Sequence, residues 1–107
     1  MIRLKRFEKF RSPALAAALL VAASGCGNAM YAVAASSASS KVEEARELGA
    51  EQLATYDFYL ATEHLEKAQT EASEADYSDA ANLAAQAEEH ADKAIQLARE
   101  AHRGAAQ

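Results

Sequence analysis

The chain has 107 residues, a net charge of −5, 25% charged side chains, no Trp, one Cys and one Pro. That length fits one small domain at most, a single cysteine excludes an internal disulfide, and the acidic balance speaks against nucleic acid or anionic headgroups as partners. The charge is uneven: residues 1–25 hold five bases (Arg3, Lys5, Arg6, Lys9, Arg11) and one acid (Glu8), so the remainder carries six basic and fifteen acidic residues, net −9.

Met1–Ser12 is a charged N-terminal segment and Pro13–Ala23 an apolar run. The run has the length of a signal-peptide core and is short for a membrane span. Small residues, Ala23, Ser24 and Gly25, lead directly into Cys26. This order resembles the lipobox of bacterial lipoproteins. The resemblance implies cleavage before Cys26 and a covalent diacylglycerol and N-acyl chain on it, with the lipid bilayer as partner through that anchor. One fatty chain gives only marginal binding at about 0.8 kcal/mol per buried methylene, so the two or three chains of such a cysteine hold it firmly. Ala23 stands where many family members have Leu, and Gly27 rather than Asp follows the cysteine. The latter implies the outer membrane, periplasmic face, with the inner membrane as second choice. A different reading of the same residues is an uncleaved anchor over Ala14–Ala35, interrupted by Ser24, Gly25, Gly27 and Asn28.

Gly27–Ser40, with its run Ser36-Ser37-Ala38-Ser39-Ser40, reads as a tether whose Ala content leaves room for helix in part of it. The domain organisation expected is therefore a signal peptide over 1–25, a lipidated flexible linker over 26–38, a helical domain over 39–103 and a tail over 104–107. Ser40 and Glu43 fit a capping box. A helix follows over about residues 38–54, with Val42, Ala45, Leu48 and Leu53 at helical spacing. Gly49 inside it costs about 1 kcal/mol relative to Ala and marks close packing or a bend.

A second helix begins at Thr55, its expected cap, with Asp57 in the first turn. Phe58, Ala61, Leu65, Ala68, Ala72 and Ala75 recur at spacings of 3-4-3-4-3. Asp76 is positioned to cap a third helix. There Ala80, Ala84, Ala87, Ala91, Ala94, Ala98 and Ala101 form a strict heptad seam, with the end expected near His102–Arg103 and Gly104 just beyond. Folding back at Asp76 sets Phe58 against Ala94, Ala61 against Ala91, Leu65 against Ala87 and Ala68 against Ala84. The fold expected is all-α: a short bundle or hairpin of two to three antiparallel helices after an N-terminal signal helix.

An alanine seam buries little apolar area per residue, so self-association or a partner is expected to help. Leu60, Leu83 and Leu97 are candidate contacts. Tyr56 and Tyr59 complete a candidate partner patch, or else they close the open end of the hairpin over a core Phe58.

Two resemblances attach to these residues. Tyr59-Leu60-Ala61 with Asp76-Tyr77-Ser78-Asp79-Ala80 resembles the helix-turn-helix of one tetratricopeptide repeat; a single hairpin implies no peptide groove. Residues 39–103, through VEEARELGAEQ, YDFYLATEHLEKA and ADYSDAANLAAQAEEHADKA, are similar to a family of short Ala/Glu-rich bacterial lipoproteins catalogued as a domain of unknown function. Some members sit beside OmpA-like envelope proteins, which implies envelope partners of that kind and assigns no chemistry.

His64, His90 and His102 lack Glu three residues before them and lack His-x-x-x-His spacing. Each reads as a solvated or rim histidine. Neither a catalytic residue nor a metal nor a further cofactor is expected. The function expected is a non-enzymatic, membrane-anchored periplasmic scaffold. The alternative is a homo-oligomeric alanine-zipper lipoprotein of the outer membrane, without covalent wall attachment because the chain ends Gly104-Ala105-Ala106-Gln107.

Overall fold

The computed structural model describes residues 27–106. The leader, Cys26, the first part of the Ala14–Ala35 anchor reading, and Gln107 lie outside the described residues. Four helices form: α1 over 27–47, α2 over Ala50–Leu53, α3 over Thr55–Ser73 and α4 over Tyr77–Ala106. No strand occurs among the described residues. The three long helices run up, down and up. A three-residue turn makes α3 and α4 antiparallel neighbours. Contacts between α1 and α4 rise together in number: Tyr31 with Tyr77, Lys41 with Glu88 and Asp92, Glu44 with Arg99, Leu48 with His102. Those two helices are therefore parallel.

The core is alanine. Ala38, Ala45, Ala50, Ala61, Ala68, Ala80, Ala84, Ala87, Ala91, Ala94 and Ala98 are fully buried, and the larger core members are Val42, Phe58 and Ile95. Methyl-sized side chains let helix axes approach at the short end of the usual 8–10 Å range. The heptad seam of α4 thus serves two neighbours at once: α3 on one flank and α1 on the other.

The stretch 27–38 is helical, not the expected flexible linker, and α1 starts eleven residues before the expected 38. Tyr31, Ala35, Ala38, Val42 and Ala45 recur at 4-3-4-3, and Ala38, Val42 and Ala45 are buried. The serines between them face outward or sideways, so their weak helix propensity is outweighed by packing. The capping box expected at Ser40 does not form, because the helix runs straight through it.

Gly49 ends α1 rather than sitting within a helix. Its φ is 80°, the left-handed region, and its amide donates to the Arg46 carbonyl. His102 on α4 donates from Nε2 to the Leu48 carbonyl at 2.7 Å and so satisfies one of the open groups at the end of α1. Thr55 is not a cap. Ala54 holds that position, and the Thr55 hydroxyl donates back to the Glu51 carbonyl.

At the α3–α4 turn Asp76 caps as expected, whereas Ala75, expected in the seam of the second helix, lies in the turn. The Asp79 amide donates to Asp76 Oδ1. Upstream, Asp76 N–H donates to Glu71 O and Ala75 N–H to Ala72 O, the paired bonds of a Schellman motif. Ala75 takes the left-handed conformation there, with φ 63°. At the far end α4 passes Gly104 and continues to Ala106, so 104–106 is helix and not tail.

Candidate functional site

The bundle is a short rod with two unlike ends. α1 spans about 30 Å at 1.5 Å per residue. Its first turn lies beside the start of α4, where the Tyr31 and Tyr77 rings stand 6.4 Å apart. A Cβ on Gly27 would lie 3.4 Å from that of Tyr77. This end adjoins residue 26. Here Met30 is 69% and Val33 72% exposed, and with Ala29, Ala34, Ser37 and Glu88 they line a shallow hollow. Met30, Val33 and Ala34 fall in the stretch expected to be a linker; their i, i+3, i+4 recurrence is the signal that marks them.

The opposite end is built from α2, the start of α3 and the later part of α4. Tyr56, Tyr59, Leu53 and Leu97 are exposed there. Leu60 and Leu83 are half-buried. Leu83 and Leu97 are fourteen residues apart on one helix, about 21 Å. The candidate patch of Tyr56, Tyr59, Leu60, Leu83 and Leu97 is therefore divided. Leu97 shares an end with the two tyrosines, whereas Leu83 borders a groove with His64, Lys67 and Glu71 nearer the α3–α4 turn.

Between the ends, charged pairs tie α1 to α4. Lys41 donates to Glu88 at 2.8 Å and to Asp92 at 2.9 Å, one turn apart on α4. The hydrogen bond from Lys41 first, and Ser37 second, holds the Glu88 carboxyl below its usual range, while Glu88 and then Asp92 hold the Lys41 ammonium above its own. Arg99 reaches Glu44 at 2.6 Å. Arg46 pairs with Glu43 and stacks over the Phe58 ring, 5.7 Å from its centroid.

His64 and His90 lie at the rim of the α3–α4 contact, partly shielded, and His102 is exposed. His90 on α4 donates from Nδ1 to Asp57 Oδ1 at 3.1 Å, and both side chains are largely shielded. His64 on α3 donates from Nδ1 to the Leu60 carbonyl at 2.8 Å. The two rings are 5.5 Å apart between centroids and tilted by 41°. Glu71, Asp76 and Asp79 gather at the turn with carboxylate oxygens within 4.8 Å of one another. Asp76 caps α4 there, and Asp79 lies in its first turn, where the helix dipole favours negative charge.

Among the described residues no helix is long and apolar enough to cross a membrane. The class defined by the geometry is a three-helix, alanine-cored bundle with an apolar edge at one end and an aromatic tip at the other. The chain belongs to the family described as a domain of unknown function, DUF4398, whose model matches residues 33–107. No curated protein and no solved structure matches it.

Proposed function

We propose that this DUF4398 chain is a non-enzymatic scaffold of the bacterial envelope, held to the periplasmic face of the outer membrane by acyl chains on Cys26. The observation that carries the reading is the polarity of the rod. Exposed Met30 and Val33 lie one and two turns after residue 26, while Leu53, Tyr56, Tyr59 and Leu97 are exposed about 20–30 Å away. An acyl group at residue 26 leaves the first turns of α1 within reach of the headgroup layer. The aromatic tip then projects toward the periplasm, available to an OmpA-like or other envelope partner. Tyr side chains suit such contacts, offering large area at low entropic cost.

The alanine-zipper alternative loses its seam. Ala80, Ala84, Ala87, Ala91, Ala94 and Ala98 are fully buried by the chain's own α1 and α3. A second copy has no access to them while the bundle is folded.

Metabolic labelling with a fatty-acid probe tests the anchor. The wild-type chain takes the label and fractionates with outer membrane. The Cys26→Ser variant takes none and accumulates unprocessed. An unlabelled wild-type chain recovered in the soluble fraction overturns the proposal.

A further inference from the structure

The His64–His90 pair is built as metal-binding histidines are built. A carbonyl and an ionised carboxylate only accept hydrogen bonds, so both Nδ1 atoms carry protons: His64 toward Leu60 O, His90 toward Asp57 Oδ1. In the neutral rings each Nε2 is then left with its lone pair. Ligating histidines ordinarily show this arrangement, with the second nitrogen donating to a carboxylate or a backbone carbonyl that fixes tautomer and ring orientation.

The placement agrees. Asp57 and His64 are seven residues apart on α3, about 10 Å along the axis. The His90 ring touches Asp57 with one nitrogen and lies 5.5 Å from the His64 ring. It therefore occupies the interval between them, and its Nε2 faces away from Asp57. Two imidazoles sharing one ion at about 2.0–2.1 Å from each nitrogen have ring centres roughly 5 Å apart. A small side-chain adjustment closes the difference. Both rings keep an exposed edge, so an ion and its remaining water ligands have a path in.

We propose that His64 and His90, through their Nε2 atoms, bind a late first-row divalent cation of the zinc or nickel class and clamp α3 to α4. Imidazole nitrogen selects such metals over calcium or magnesium. The proposal does not depend on acylation of Cys26.

The test uses the full-length chain in detergent with Cys26→Ser, so that a thiolate does not compete, and Zn²⁺ as the probe. Calorimetry is expected to give one Zn²⁺ per chain. His64→Gln and His90→Gln each weaken binding by about tenfold or more, and Asp57→Asn, which keeps both ligands, weakens it about 10–100-fold. His102→Gln, whose ring serves Leu48, leaves it unchanged. Long-range ¹H–¹⁵N spectra of the otherwise unsubstituted chain are expected to show both Nε2 resonances moving on Zn²⁺ addition; this arm needs no histidine variant to fold. Absence of binding at millimolar Zn²⁺, undiminished binding by the His64→Gln/His90→Gln double variant, or unmoved Nε2 resonances each overturn the proposal.

Discussion

Tyr31 on α1 and Tyr77, the first residue of α4, face each other with ring centroids 6.4 Å apart and planes tilted by 35°. This contact joins the start of α1 to the rest of the bundle. An aromatic pair of this geometry adds about 0.5–1.5 kcal/mol beyond its buried area. Tyr31→Ala is expected to fray the first turns of α1 and spare the remainder. Amide hydrogen exchange checks this: protection falls over residues 28–35 and holds over α3 and α4.

The Lys41 bridge gives stability a defined pH window. Glu88 titrates below the ordinary glutamate value of about 4.3, so its contribution is present above that value and is lost as pH falls through the depressed one. Lys41 titrates above its ordinary value of about 10.4, so its contribution is present below that value and is lost as pH rises through the raised one. Lys41→Met is expected to lower the melting temperature at neutral pH. The gap from wild type closes toward strongly acidic and strongly alkaline conditions, and narrows in high salt because the pair is partly exposed. Thermal unfolding across pH checks it.

Two backbone positions carry opposite expectations. Ala75 occupies the left-handed position of a Schellman motif, where an L-residue with a Cβ costs about 1–2 kcal/mol. Ala75→Gly relieves that cost, less the chain entropy that glycine adds, and is expected to stabilise by about 0.5–1 kcal/mol. Gly49 also has positive φ, and a Cβ there meets only Leu53 Cδ1 at 3.6 Å, so space is not the obstacle. Gly49→Ala is expected to destabilise by about 1–2 kcal/mol through the backbone alone. Urea unfolding of both variants checks the pair.

The seam of α4 is expected to reject bulk. Ala87 and Ala91 are fully exhausted of exposure between α1 and α3. Ala91→Leu forces the helices apart and is expected to cost about 1–3 kcal/mol, whereas Ala85→Leu, on the exposed face, costs little. Chemical denaturation separates the two.

The helical class and the α3–α4 hairpin were legible because their signals are local. A heptad seam and the Asp76 cap, where the chain folds back, each act over one or two turns, and the structure keeps both. The start of α1 was hidden because its signal is conditional. Ser36, Ser37, Ser39 and Ser40 weaken helix in isolation, and the recurrence of Tyr31, Ala35, Ala38, Val42 and Ala45 matters only once α4 supplies a surface to meet it. The same holds for the candidate patch: Leu83 and Leu97 look alike in sequence, and only the level each occupies along α4 separates them.

By itself, then, the sequence determined an alanine-cored helical chain with a hairpin at Asp76 and a cysteine placed behind an apolar run, since propensity, capping and heptad period are properties of neighbours along the chain. Only the tertiary structure decided that α1 reaches back to residue 27 parallel to α4, that Gly49 turns the chain, and that His90 sits between Asp57 and His64. Those outcomes depend on contacts between residues 26–55 positions apart, and no local period encodes which distant surface a helix face will meet.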